Sequence, residues 1–255
     1  MKTTAIITGA AGGLGSEFTK QLYNEVDEIW AIGRNVAKLD ALRESLGEKV
    51  RGFSVDLSDP DNLSVISDEL EKGGCEVKWL INNAGSGRMA RSDKLSAGEI
   101  AAHINTHDTS AMILCNICLP YMKSGGRIIN VSSQSAFQPV PYINLYAASK
   151  AFSLSYSRAM NAELKGTGIT VTACCPGWIK TDLLKEEING VKIRFPHMAE
   201  PADVARKAIR DSGRGKDMSV YSGYVKLMQF FSKYYPHKMI MRCWLFGIRK
   251  YINMI

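Results

Sequence analysis

Tyr146 and Lys150 stand four residues apart in the run Leu-Tyr-Ala-Ala-Ser-Lys, and Ser133 lies thirteen positions before the tyrosine. On a helix an i, i+4 pair shares one face, so the ammonium can sit beneath the phenol and stabilise it as it ionises. A carbonyl that accepts hydride develops negative charge on oxygen. It needs an acid at that oxygen and a second hydrogen bond to orient it. Tyr146 suits the first role and Ser133 the second, although Ser132 or Ser135 could take the place of Ser133.

A hydride source would bind at the other end of this chemistry. Thr8-Gly-Ala-Ala-Gly-Gly-Leu-Gly15 follows the first β-rich run and opens a helical one. Gly9, Gly13 and Gly15, with Leu14 between them, would let the backbone approach a pyrophosphate at a positive helix terminus. A purely structural loop is the alternative. The second strand candidate ends in Gly33-Arg34-Asn35, without a carboxylate to chelate the ribose hydroxyls and with an arginine that attracts a 2′-phosphate. Asp27 and Glu28 lie at the opposite end of that strand, so NADP(H) is expected over NAD(H) unless Arg34 is simply solvated. Asp56, followed by Leu57, could accept a hydrogen bond from an adenine amino group or cap the next turn. Asn82-Asn83-Ala84-Gly85 could brace a backbone turn beside the cofactor, or be only that turn. Free tyrosine titrates near about 10, so Lys150 and the positive charge of an oxidised nicotinamide would have to lower it. Lys150 could also reach the nicotinamide ribose hydroxyls, so Tyr146 and Lys150 count among the cofactor-binding residues too.

Elements that could position these groups are visible in the apolar periodicity. Strand candidates are Thr4–Thr8, Glu28–Ile32, Val50–Val55, Trp79–Asn82, Arg127–Ser132, Thr170–Cys175 and Met218–Tyr221. They alternate with helical patterns at Leu14–Glu25, Val36–Leu46, Leu63–Glu71, Ala97–Met122 and Tyr146–Lys165. This predicts an α/β fold: one Rossmann-type, doubly wound sheet of about seven mainly parallel strands, with helices on both faces and a helical C-terminal tail. Ligands of such sheets bind beyond the carboxyl ends of the strands. Gly9, Gly33, Asp56, Asn83, Ser133 and Pro176 all fall there.

With these motifs in order, the chain resembles the short-chain dehydrogenase/reductase family over roughly residues 1–185. The pattern Thr-Gly-x-x-x-Gly-x-Gly falls on Thr8–Gly15, Asn-Asn-Ala-Gly on Asn82–Gly85 and Tyr-x-x-x-Lys on Tyr146–Lys150. The resemblance implies that Ser133 orients substrate, that Tyr146 is the acid/base, and that Asn105 anchors a water relaying protons through Lys150. Asn105 could instead bond a helix backbone. Pro176 and Gly177 would flank the nicotinamide, with Ile179 and Thr181 holding its carboxamide. A dimer interface on the helix bearing Lys150, and so a homodimer or higher homo-oligomer, is also implied.

The remaining composition limits the alternatives. The chain has 255 residues, 45% of them hydrophobic and 22% charged, as expected of one soluble globular domain, 1–255. An N-terminus that runs straight into a strand, and six cysteines without a paired framework, fit a cytoplasmic protein with reduced thiols. Cys115-x-x-Cys118 lies in an apolar helical run and reads as core. His103 and His107 flank Asn105 without a glutamate or an evident third ligand, so no metal is expected. Phe137, Pro139, Val140, Tyr142, Ile143, Trp178, Leu183, Leu184, Ile188 and Phe195 suggest two apolar walls, with a substrate lid at 183–200.

The net charge of +7 sits mostly in one place: from Met218 onward there is no Asp or Glu, whereas Lys226, Lys233, Lys238, Arg242, Arg249 and Lys250 are cationic. The basic aromatic tail, 224–255, departs from the family pattern. Its stripe of Leu227, Phe230, Phe231 and Tyr234 is expected to pack over the substrate pocket or a partner subunit. Peripheral contact with a membrane is the alternative, and nucleic-acid binding is not expected. The leading function is NADPH-dependent reduction, or reverse oxidation, of a ketone or secondary alcohol on a hydrophobic, steroid-like or lipid-derived small molecule. A 3-oxoacyl thioester reductase is the alternative enzyme. A non-catalytic nucleotide-binding sensor or membrane-associated regulator is the alternative of a different class.

Overall fold

The computed structural model describes residues 1–181, 184, 187–188, 191–193 and 195–252. Seven parallel strands form one sheet: β1 (Lys2–Thr8), β2 (Glu28–Gly33), β3 (Val50–Ser54), β4 (Cys75–Asn82), β5 (Arg127–Val131), β6 (Thr170–Cys175) and β9 (Met218–Val220). Their spatial order is β3-β2-β1-β4-β5-β6-β9. The chain therefore winds outward from β1 in both directions, and the crevice at the β1/β4 reversal is where such sheets take ligands. A short antiparallel pair, β7 (Glu187–Ile188) and β8 (Val191–Lys192), stands apart from the sheet.

Strands buried on both faces need near-continuous apolar sequence. In β1, Ala5, Ile6 and Ile7 have no solvent exposure, and every residue of β6 is buried. On one face Ile7, Ile29, Ile81 and Ile129 pack against Phe18 and Leu22 of α1 (Gly13–Leu22), Leu39 of α2 (Val36–Leu46) and Ala205 of α7 (Pro201–Gly213). On the other, Ile6, Leu80, Ile128 and Val171 meet Ile66 of α3 (Ser64–Glu71), Leu114 of α5 (Ser110–Cys118) and Met160 of α6 (Asn144–Glu163). Each fully buried side chain of this size contributes roughly 1.5–3 kcal/mol. Cys115 and Cys118 belong to this second core; burial pushes the Cys115 thiol up to about 12 and Cys118 well above its ordinary value. That is core packing rather than redox chemistry.

The strand boundaries follow the sequence pattern closely, but the expected helix Ala97–Met122 is broken. It consists of α4 (Ala97–Ile104), a π-helical turn Asn105–Thr109, α5 and a 3₁₀ turn Leu119–Tyr121. Ser96 and Glu99 form a reciprocal capping box that starts α4. The Ser110 amide reaches back to the Asn105 carbonyl across five residues, and Pro120 removes a donor where α5 ends. α7, which the periodicity left out, starts on Pro201 and buries Val204, Ala205 and Ala208.

The tail forms α8 (Gly223–Tyr234) and α9 (His237–Ile248), separated at Pro236 as expected. Its apolar stripe does not cover this chain's own pocket. Leu227, Phe230 and Tyr234 are exposed, and α8 docks through Val225 and Ser232 instead. Ser232 donates to the Gln138 side chain at 2.6 Å, and the Trp244 indole donates to the Pro141 carbonyl at 2.9 Å. Polar anchors at 138–141 therefore set which face turns inward.

Candidate active site

The end of β5 and the first turns of α6 bring the reactive groups together. Ser132 donates from its hydroxyl to the Lys150 carbonyl at 2.7 Å, which pins α6 to the strand end and commits Ser132 to the backbone. Ser133 accepts from the Ser135 amide at 3.1 Å, and its hydroxyl interacts with the Tyr146 phenol. Of the three serines, Ser133 is thus the one facing the tyrosine. Lys150 is buried, donates to the Val131 carbonyl at 2.8 Å, and has its nitrogen 5.5 Å from the Tyr146 ring centroid.

Burial dominates the electrostatics. It pulls Lys150 down to about 8, against the attraction of the Asp108 carboxylate. It pushes Tyr146 above its ordinary value, and the opposing pull comes from the Ser133 hydroxyl. The expected lowering of Tyr146 is therefore not what the chain's own groups produce: loss of hydration outweighs the Ser133 hydrogen bond, and the hydrogen bond of Lys150 goes to Val131. The result is a phenol held protonated, the form a proton donor requires.

The π-helical turn supplies neighbours that spacing did not assign. His103 and His107 stack with ring centroids 4.0 Å apart, and His107 lies edge-on to Tyr146 at 5.9 Å. The His107 Nε2 accepts the Ser86 amide at 2.9 Å, and burial pulls its pKa to about 2, so the ring is neutral. The sequence showed these histidines around Asn105, but only packing shows that they abut the tyrosine. No group of residues that could hold a metal occurs among the described residues. Asp108 is buried beside them, and loss of hydration raises its pKa against hydrogen bonding from Ser149. Asn105 donates to the Ser58 carbonyl at 2.9 Å, tying the π turn to the loop after β3 rather than to a helix backbone. Beside Lys150, a cavity of about 10 Å³ lined in part by Thr8, Asn82, Thr106, His107 and Ser153 is near the size for one water.

The glycine-rich turn lies next to this centre. Gly9 has φ +63, and a Cβ on Gly15 would lie 2.0 Å from the Gly9 carbonyl oxygen, so the turn is closed to larger residues at both positions. Thr8 Oγ1 accepts the Asn83 and Ala84 amides, each at 2.9 Å, and the Asn83 side chain donates to the Thr8 carbonyl at 3.1 Å. Asn83 and Ala84 therefore brace the turn. Asn82 points into the core, donating to Asn130 at 2.8 Å. α1 begins without a side-chain cap, leaving amides at the helix start suited to a pyrophosphate. Leu14 and Leu57 are buried, so they would present backbone rather than side chain.

Across the turn, a Cβ on Gly13 would come within 2.6 Å of the Thr181 methyl. Pro176 accepts the Gln134 amide at 2.8 Å, Ile179 bridges to Ala199, and Gly177 lies close against Val225. A Cβ on Gly85 would meet His107 at 2.6 Å, which assigns that glycine to packing. At the end of β2, Arg34 shares an open cleft of about 390 Å³ with Ser54, Asp56, Asn62 and Val65. Asp56 Oδ1 accepts the Ser58 amide at 3.0 Å and its hydroxyl at 2.8 Å, which hold the carboxyl below the usual carboxylate range, with a smaller pull from Arg34. Asp56 thus forms the loop turn foreseen as its alternative role and also lines the cleft. An uncapped helix start, a glycine turn and a cleft holding Arg34 fit a phosphorylated dinucleotide.

The wall at 137–143 is narrower than expected. Phe137 packs on Ala173, Cys175, Val220 and Val225, and Val140 is buried, because α8 seats against this segment. Trp178 and Phe195 remain in contact at 4.8 Å between ring centroids. Leu183, the side chain of Ile188 and parts of the 183–200 lid lie outside the described residues.

Residues 3–191 match the family described as short chain dehydrogenase. The chain belongs to that family. Among relatives of this short-chain dehydrogenase is serine 3-dehydrogenase of Agrobacterium fabrum, 29% identical over 192 residues that cover 74% of this chain and 77% of that protein. Another is very-long-chain 3-oxoacyl-CoA reductase-B of Danio rerio, 28% identical over 229 residues, covering 87% and 74%. The fold is similar to that of a short-chain dehydrogenase from Sphingobium yanoikuyae solved in complex with NADPH, with TM-score 0.76, 24% identity and coverage of 95% and 96%. Membership in the family makes the protein an oxidoreductase of the NAD(P)-dependent dehydrogenase/reductase type.

Proposed function

We propose that this short-chain dehydrogenase catalyses NADP(H)-dependent interconversion of a ketone and a secondary alcohol on a hydrophobic small molecule. The observation that carries the reading is the Ser133–Tyr146–Lys150 arrangement, with a protonated phenol facing the serine hydroxyl above a buried lysine. Ser133 donates a hydrogen bond to the carbonyl oxygen and fixes its position. Tyr146 gives its proton to that oxygen as negative charge develops, and takes it back in the oxidation direction. Lys150 holds positive charge below the phenol and against the strand end. Bound NADPH supplies the hydride. Gly9, Gly13, Gly15 and the start of α1 hold its pyrophosphate, and Arg34 meets the 2′-phosphate in the cleft beyond β2. Asn105 ties the π turn to the loop after β3 through the Ser58 carbonyl, and His107 of that turn lies against Tyr146.

NADP(H) as cofactor is supported by Arg34 and by the NADPH in the Sphingobium yanoikuyae structure. A hydrophobic substrate is supported by Trp178, Phe195 and the apolar remainder of the walls. A 3-oxoacyl thioester is the second reading, favoured by the name of the Danio rerio relative. Reduced cysteines and assembly as a homo-oligomer belong to the same reading. The test is NADPH oxidation across a panel of steroid ketones, 3-oxoacyl thioesters, sugars and small polar ketones. Turnover confined to the last two classes would reject the hydrophobic substrate.

A further inference from the structure

The outward face of the tail interleaves exposed aromatic and aliphatic side chains with cations. On α8 the exposed side chains are those of Lys226, Leu227, Phe230, Lys233 and Tyr234, which recur at three- and four-residue spacing and so share one arc. On α9 Met239, Arg242 and Phe246 repeat the pattern, and Arg249 and Lys250 continue it just beyond the helix. Phe230 is 54% exposed, Tyr234 62% and Phe246 67%. From Met218 onward the sequence contains no carboxylate side chain, and none of the six tail cations makes a salt bridge among the described residues. Two of them lie against aromatic rings of the same face instead: Lys233 on Tyr234, and Arg249 on Phe246 at 4.2 Å.

We propose that this face is a docking surface for an anionic lipid bilayer. Aromatic and aliphatic side chains would enter the headgroup boundary while the interleaved lysines and arginines meet lipid phosphates. No helix among the described residues is long and apolar enough to cross a membrane, so the contact is peripheral. A second copy of the chain fits the face less well, because an isologous contact would set cations against cations with no acid to neutralise them. A nucleic-acid track would leave Leu227, Phe230 and Phe246 without a purpose. The inner face of the same two helices is tied to 138–141, and His197 stacks on Tyr224 at 4.6 Å, so docking would bring the apolar walls of the substrate site to the bilayer. The proposal does not depend on which reaction the site performs.

The test is co-sedimentation of the full-length protein with vesicles of phosphatidylcholine alone and of an equal mixture of phosphatidylcholine and phosphatidylglycerol. Partitioning should favour the anionic vesicles by about tenfold or more and weaken as salt rises. The pair Lys226→Ala with Arg242→Ala, and separately Phe230→Ser with Phe246→Ser, should each lower it by about tenfold. All four positions are exposed, and unchanged thermal unfolding would show that the variants fold. Absence from both vesicle pellets would overturn the proposal, as would partitioning that neither pair alters. Loss of a solution dimer in the phenylalanine pair without any vesicle binding would assign the face to a second copy. Binding of duplex DNA without vesicle binding would assign it to a polyanion; either result defeats the bilayer.

Discussion

The Lys150 ammonium lies 5.5 Å from the centroid of the Tyr146 ring, yet its hydrogen bond runs to the Val131 carbonyl at 2.8 Å. The lysine is thus held by the strand that delivers Ser133, and its position depends on the β5–α6 contact as much as on helical spacing. Through Ser132, whose hydroxyl bonds the Lys150 carbonyl, the same strand end fixes the backbone of that helix turn. Site geometry and sheet geometry are one arrangement here.

That relationship predicts a pH limb. With Lys150 drawn down to about 8, its charge is present through neutrality and lost above that value. The rate of ketone reduction should be level near pH 7 and fall as pH rises past about 8. Lys150→Arg, whose guanidinium does not titrate in this range, should move the fall to higher pH even if it lowers the plateau. The stability effect has the opposite sign. A lysine with a depressed folded value binds fewer protons than the unfolded chain between about 8 and 10.5, so this group's contribution improves as pH rises through that window. An identical limb in wild type and Lys150→Arg would exclude Lys150 as its source.

Arg34 should set nucleotide choice. Arg34→Asp replaces a phosphate-attracting group with a repelling one in the cleft it shares with Asp56 and Asn62. The ratio of kcat/KM for NADPH over NADH should fall by about a hundredfold, the size expected for losing charge-assisted hydrogen bonds to a phosphate. Measured side by side with both nucleotides, an unchanged ratio would remove Arg34 from the cofactor site.

Asp211 should carry an acid-sensitive part of the stability. Its buried carboxylate accepts from Lys207 at 2.5 Å, Lys216 at 2.9 Å and Ser219 at 2.8 Å, tying α7 to β9. These partners outweigh burial and hold the carboxyl at about 2, below its usual 3.8. A depressed carboxylate stabilises the fold above its unfolded value, and that contribution is lost as pH falls through the folded one. Asp211→Asn should therefore cost up to about 2 kcal/mol at pH 7, with the difference from wild type shrinking below about pH 4. Denaturant melts across that range would show it. A difference that stays constant to pH 2 would contradict the assignment.

Much of this was readable from residue types and spacing. The β-rich runs marked all seven strands of the sheet, since the central strands, buried on both faces, carry near-continuous apolar sequence and the edge strand β3 still keeps Val50 and Phe53 buried. Tyr146 and Lys150 at i, i+4 fixed a shared helix face. Spacing could not show which face of the tail docks: its apolar stripe fitted the pocket, a partner subunit or a membrane alike, and Ser232 of α8 and Trp244 of α9, bonded to Gln138 and Pro141, decide the orientation. The π turn was equally hidden, because one extra residue in a helix turn changes no residue type. Its effects, Asn105 on Ser58 and the His103–His107 stack against Tyr146, depend on contacts distant in sequence. Burial likewise decided the sign of the Tyr146 shift, and a charge-pair argument omits it.

The most direct test of the account is single-turnover oxidation of bound NADPH by a hydrophobic ketone in wild type and Tyr146→Phe. Removing the phenolic proton from a site that otherwise keeps Ser133 and Lys150 should slow the step by about a hundredfold or more. NADPH affinity, measured by fluorescence, should stay within about a factor of two of wild type, because the loss is confined to the proton donor. A Tyr146→Phe protein that reduces the ketone at the wild-type rate would contradict the central claim that this tyrosine delivers the proton.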